Sequence, residues 1–142
     1  MRFLNHLVAA CAFVAAASAP VDAAQPGHDV VGKWKISAVL DSAEMTSIDE
    51  TQARKLLGHV MTISKDGVRF DGEACGAPNF DARRVDPNLY LREEARIGAA
   101  KLGLPNPVTV VDLSCTVAFL KKPNRLVVHW EGFFFDAVRM RQ

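Results

Sequence analysis

The sequence predicts a mainly β fold: an antiparallel meander, closed into a barrel or bent into a strongly curved sheet, with two short helices. Three observations predict it. Val30 to Leu40 alternates apolar and polar residues, the period of a half-buried strand. The last third of the chain divides into four apolar runs joined by very short links, which cannot make a parallel crossover. Between these strand-rich ends lie two segments with helix start and stop signals.

Taken in order, Val30, Gly32, Trp34, Ile36, Ala38 and Leu40 are expected on one face of the first strand, with Lys33, Lys35 and Ser37 on the other. Asp49 to Leu57 reads as a helix. Acids lie in its first turn, basic residues follow, and Gly58 stops it. His59 to Ser64 and Val68 to Asp71 form a hairpin around Lys65-Asp66-Gly67, where Asp-Gly would supply the positive-φ turn. Gly72 to Asn79 is a loop pinned by Cys75, and Phe80 to Val85 reads as a further strand.

Asp86-Pro87-Asn88 starts the second helix, which continues through Leu89 to Leu102. Leu89, Glu93, Arg96 and Ala100 give it no clean apolar face. Gly103 closes it and Pro105 forbids continuation. Val108 to Cys115, Thr116 to Leu120, Arg125 to Trp130 and Phe133 to Met140 are the four final strands. Lys122-Pro123-Asn124 and Glu131-Gly132 are turns between them. Strands, a helical interruption and then a meander suggest a nearly closed barrel with helices at its mouth or flank.

Residues 1–23 have the layout of a secretory signal peptide. Arg2 is followed by the apolar run Leu7 to Ala17 and then by the small residues ending at Ala23 and Ala24, either of which suits cleavage. An alternative is lipidation at Cys11, since Val8-Ala9-Ala10-Cys11 resembles a lipobox. Residues 24–142 form one domain of roughly 118 residues, long enough to bury a single core. The expected location is the periplasm or the cell exterior. There Cys75 and Cys115 should form a structural disulfide, because no C-x-x-C redox motif is present.

Basic residues number 17 and acidic residues 16. That balance leaves no electrostatic footprint for nucleic acid or an anionic membrane surface. No second apolar run is long enough to span a bilayer, so no integral membrane segment is expected in the mature chain.

Gly32-Lys33-Trp34 at the start of the first strand, with Arg139 or Arg141 at the end of the last, resembles the signature of the lipocalins, a calycin-type family. The resemblance implies that Trp34 sits at the closed end of a barrel with the arginine packed over it. The chain also resembles small secreted proteobacterial proteins that pair a G-x-W start with a cysteine–proline loop, here Cys75-Gly76-Ala77-Pro78. The helix after Pro87 departs from the lipocalin pattern, whose main helix precedes the final strand.

Catalytic signatures are absent: there is no G-x-S-x-G, H-E-x-x-H, P-loop or G-x-G-x-x-G. His28, His59 and His129 lie far apart in sequence. His129 and Glu131 share one face of a strand, opposite Leu126, Val128 and Trp130, and are expected to face solvent. They could hold a metal only if His59 approached, so neither metal nor cofactor is expected. Asp71, Glu73, Asp81 and Asp86 read as ordinary loop acids rather than a glycosidase pair. Arg83, Arg84, Arg92, Glu93, Glu94 and Arg96 read as a solvated face rather than an anion clamp. In Phe133-Phe134-Phe135 at least one ring should be exposed or line a cavity, unless a helix covers it.

The expectation is therefore a non-enzymatic binding protein. In the first form it carries or senses a small apolar ligand held in the barrel. Trp34, Phe70, Phe119, Trp130 and Phe133 or Phe135 would line the cavity, with Thr62 or Arg139 as orienting groups. Simple core packing is the competing role for these rings. In the second form it is a periplasmic inhibitor or immunity-type module that binds another protein through the loop Glu73 to Phe80.

Overall fold

The computed structural model describes residues 26–142, so the signal-peptide and Cys11 readings lie outside the described residues. Nine antiparallel strands form one curled sheet, a half-barrel. They are β1 (Gly32–Ser42), β2 (Val60–Ser64), β3 (Gly67–Phe70), β4 (Glu73–Cys75), β5 (Ala82–Val85), β6 (Val108–Asp112), β7 (Val117–Lys122), β8 (Arg125–Trp130) and β9 (Phe133–Arg139). Their order across the sheet is β4-β3-β2-β1-β9-β8-β7-β6-β5. Two helices interrupt them, α1 (Glu50–Lys55) and α2 (Pro87–Ala95), and a short 3-10 turn, Pro26–Val30, precedes β1.

The first strand lies beside the last, which curls the meander back on itself. Trp34 faces Arg139 across that pair and Met61 on its other side. Gly32 makes the junction possible. Its φ is 147°, and a Cβ there would meet the Arg139 guanidinium at 2.8 Å. The expected alternation holds through Ile36 and then fails. Register shifts between Ile36 and Ala38, and between Val39 and Asp41, turn Val39 toward the inner face and Leu40 toward the outer one.

Two-residue turns with positive φ at both positions join β3 to β4, at Asp71-Gly72, and β8 to β9, at Glu131-Gly132. The first turn explains why β4 is a strand where the sequence suggested only a loop. Gly67 plays a different part from the one expected. It lies in β3 without positive φ, and a Cβ there would sit 2.6 Å from the Cys75 carbonyl oxygen. Glycine is needed at that position for close approach of β4.

Both faces of the sheet are covered. The inner face holds Trp34, Ile36, Met61, Ile63, Val68, Phe70, Val111, Leu126, Val128, Phe133 and Phe135, with Ala53 and Leu56 of α1 packed into it. α1 is held by a capping box in which Asp49 and Gln52 exchange side-chain and backbone hydrogen bonds of 2.8 and 2.9 Å. The outer face holds Val108, Val110, Phe119, Val127 and Phe134 beneath Leu91 and Ala95 of α2 and Ala99 and Leu102 of the turns that follow.

α2 starts on an Asp86 cap and ends at Arg96, whose left-handed φ of 56° stops it well before the expected Leu102. The Asn88 side chain accepts the Ala99 amide at 3.0 Å and holds the following segment against the helix.

The disulfide Cys75–Cys115 ties the end of edge strand β4 to the loop between β6 and β7, with Cα atoms 6.0 Å apart. The Ser114 hydroxyl donates to the Ala77 carbonyl at 3.3 Å, and the Asn79 amide donates to Asp112 at 3.4 Å. Pro78 and Phe80 are buried, so the cysteine–proline loop is fastened along the open side of the half-barrel.

Candidate functional site

The most developed concavity, a cleft of ≈ 590 Å³, lies between α2 and the disulfide on the outer face of the sheet. Tyr90, Leu91, Glu94 and Ala95 of α2 form one wall. Glu73, Ala74, the disulfide, Thr116 and Val117 form the other. Phe119, His129 and Phe134 make the floor, and Ser47, Trp130 and Glu131 stand at the mouth.

Aromatic contacts fix this floor. Tyr90 meets Phe119 edge-on at 5.8 Å between ring centroids, and Phe119 meets Phe134 at 6.2 Å. His129 stacks on Phe134 at 4.4 Å, with the planes only 8° apart. These neighbours follow from strand register, since Phe119 pairs with Val127 and His129 with Phe134.

His129 is therefore only partly the solvent-facing residue that strand alternation suggested. Its ring is half-buried across the cleft from α2, and its Nε2 is buried with no hydrogen-bond partner among the described residues. Burial pulls its pKa below the ordinary 6.5, which favours the neutral ring at neutral pH. Burial, reinforced by the charge of Glu94 and partly offset by Arg83, holds the Tyr90 hydroxyl above its ordinary range. Tyr90 thus stays protonated and can donate a hydrogen bond.

The Thr116 hydroxyl is already committed to the His129 carbonyl. The cleft thus exposes polar side chains and the half-buried rings of Tyr90 and His129 over a layer of Phe119 and Phe134 that is itself buried.

The aromatic residues singled out from the sequence are not gathered in one place. Trp34, Phe70, Phe133 and Phe135 pack in the inner core, where Phe70 meets Trp130 at 5.2 Å and Phe133 meets Phe135 at 6.3 Å. Phe119 and Trp130 reach the cleft. All three of Phe133, Phe134 and Phe135 are buried, because α2 provides the covering helix that the triple run required.

Arg139 is occupied with Trp34, and Thr62 faces away from the inner core on the same strand as Met61 and Ile63. His59 pairs with Asp71 at 3.3 Å and lines a neighbouring hollow with Trp130 and Glu131. No group of three or more His, Cys, Asp or Glu residues around a common metal position occurs among the described residues.

Among the loop acids, Asp86 caps α2. The Leu89 backbone amide, followed by the Asn106 side chain, holds its carboxyl below the usual range. Arg96 pairs with Glu44 at 3.6 Å on the exposed side of α2.

Sequence reasoning missed the parts played by Tyr90, Leu91, Glu94, Ala95, His129 and Phe134. A usable signal was present. Leu126-Val127-Val128 and Phe133-Phe134-Phe135 are apolar without alternation, so those strands need cover on both faces. Leu91, Ala95, Ala99 and Leu102 supply it at helix-like spacing.

Among the described residues no helix is long and apolar enough to cross a membrane. Comparison of the chain with protein-family models, curated proteins and solved structures yields no match.

Proposed function

We propose that this chain is an exported, non-enzymatic binding protein that holds a small, largely apolar ligand in the cleft beneath α2. The observation that carries this reading is the cleft itself. Its volume of ≈ 590 Å³ falls within the usual range for small-molecule sites, and the half-buried rings of Tyr90 and His129 face it, backed by the buried Phe119 and Phe134. The disulfide fixes one wall and α2 the other, so the cavity is preorganised and little freedom is lost on binding.

Export is supported by the leader-like residues 1–23 and by the disulfide, which persists in oxidising compartments. A lipocalin-like relationship is supported by the Gly32-Lys33-Trp34 start and by Arg139 packed on Trp34. In this reading the ligand lies outside the curled sheet, because the inner face is occupied by its own side chains.

The test is titration of N-phenyl-naphthylamine, a neutral dye that brightens in apolar sites, into the folded protein. Saturable binding is expected, and Ala74→Trp should abolish it by filling the cleft from an exposed position. Binding unchanged in Ala74→Trp would place the dye elsewhere and contradict the reading.

A further inference from the structure

We infer that the uncovered part of the outer sheet face docks on the surface of an anionic lipid bilayer, a role independent of the cleft. The near-balance of 17 basic and 16 acidic residues over the whole chain hides a local segregation. α2 and the turns after it cover the part of the outer face that holds Phe119, Val127 and Phe134. Among the described residues no helix packs on the outer side of β2, β3 and the first half of β1, and Lys33, Lys35 and Arg69 stand exposed there.

Strand register fixes their positions. Trp34 and Ile36 point into the inner core, so Lys33 and Lys35 alternate to the outside, about 7 Å apart. Arg69 lies two strands from Lys33, through Thr62. Arg125 lies two strands from Lys35 on the other side, through Val138. These cations span about 20 Å across the run β3-β2-β1-β9-β8.

Carboxylates offset little of this charge. Lys33, Lys35 and Arg69 are in no ion pair among the described residues. Asp136 is buried and held by Lys121 at 3.1 Å and Arg125 at 3.3 Å, so two cations face one anion. Asp66 sits beside Lys65 in the β2–β3 turn. Asp71 pairs with His59 and, with Glu73, borders the hollow next to Arg69, which makes Arg69 the margin of the band. Glu44 and Glu131 lie beyond the far end of β1, where Ala43 and Ser47 bond to the β8–β9 turn.

A second observation selects a bilayer over a soluble polyanion. Each of the two lysines has an exposed apolar neighbour. Val60 pairs with Lys35 and is 37% exposed. The Met140 amide donates to the Lys33 carbonyl at 2.8 Å, and Met140 is 39% exposed. Cations interleaved with apolar side chains match the headgroup layer, where lipid phosphates take the charges and the acyl boundary takes the apolar groups. A soluble polyanion uses the charges alone. Docking of this kind is weak and reversible, since each basic residue near the surface strengthens it by about fivefold.

The test is co-sedimentation of the protein with sucrose-loaded vesicles of phosphatidylglycerol and phosphatidylcholine in equal parts, against vesicles of phosphatidylcholine alone, at about 0.1 M salt. Partition into the anionic vesicles only is expected. Lys33→Gln combined with Lys35→Gln should weaken it by at least about tenfold. Lys55→Gln combined with Arg92→Gln removes the same charge from the exposed sides of α1 and α2 and should change it by less than about twofold. Met140→Ser should weaken vesicle binding by at least about twofold and leave retention on heparin, a soluble polyanion, unchanged. All of these side chains are exposed, and thermal unfolding checks that each variant is folded.

No partition into anionic vesicles, or partition that Lys33→Gln with Lys35→Gln leaves intact, would overturn the inference. So would an equal loss in both charge pairs, which would mean attraction by net charge rather than by this face. Retention on heparin without vesicle binding would overturn it by identifying a polyanion site instead.

Discussion

Arg139 lies over Trp34, with its guanidinium carbon 4.2 Å from the ring centroid. The same guanidinium donates to the Val31 carbonyl at 2.8 Å and to the Asp29 carbonyl, while the Trp34 indole N–H donates to the Val30 carbonyl at 2.8 Å. One pair of side chains thus ties the end of the last strand to the start of the first and to the turn before it. This contact fastens the seam on which the half-barrel depends.

Trp34 is wholly buried, so Trp34→Ala should destabilise the fold by about 3–5 kcal/mol. Arg139→Lys keeps the charge but loses the planar fork, and should cost about 1–2 kcal/mol. Urea unfolding of the purified variants measures both. A loss below about 1 kcal/mol for Trp34→Ala would mean that the seam is not a structural joint.

The Cys75–Cys115 disulfide closes a loop of 40 residues in sequence separation and forms part of the cleft wall. Replacing both cysteines by serine should cost roughly 3–4 kcal/mol. It should also weaken dye binding under conditions where the variant is still folded, because the wall carrying Glu73 and Ala74 is released. Alkylation of the native protein followed by intact-mass measurement should find neither cysteine modified. Two modified cysteines would contradict the pairing.

His129 titrates below its ordinary 6.5 because burial disfavours the charged ring. As pH falls through the ordinary value, the unfolded chain takes up a proton that the folded chain does not. Stability attributable to His129 is therefore level above about pH 7 and declines as the pH drops toward the folded pKa. His129→Phe, which preserves stacking on Phe134, should remove this component. The stability difference between the natural protein and the variant should then shift against the natural protein between about pH 7.5 and pH 5. The His59–Asp71 pair is common to both proteins and cancels in the difference. Parallel pH profiles would show that His129 is not shielded.

Filling the floor of the cleft gives a separate test. Ala95 is nearly buried where α2 meets the sheet, and enlarging it to Leu intrudes on both the core and the cleft. Overpacking of this kind should cost about 1–3 kcal/mol and weaken dye binding together. Thermal unfolding and dye titration on the same sample check the pair of effects. Intact binding would move the site away from α2.

The strands were legible in the sequence wherever one periodicity or one turn chemistry ruled. β8 ends where it was expected to end, and the Glu131-Gly132 turn and the Asp49 start of α1 were also readable. β4 was not, because three residues show no period, and its existence depends on the turn at Asp71-Gly72. The bulges in β1 leave no signature in alternation until pairing with β9 imposes them. The cleft was hidden for a related reason. His129 looks polar and exposed on a strand viewed alone, and only the docking of α2 over the neighbouring Phe134 makes one wall of a cleft beside it.

Amide chemical-shift mapping with naphthylmethanol tests whether ligand enters between α2 and the sheet. The largest shifts are expected to cluster at Tyr90, Glu94, Thr116, Val117, His129 and Glu131, around the cleft. Shifts centred on Trp34, Ile36, Met61 and Ile63 of the inner face, with the cleft amides unmoved, would contradict it.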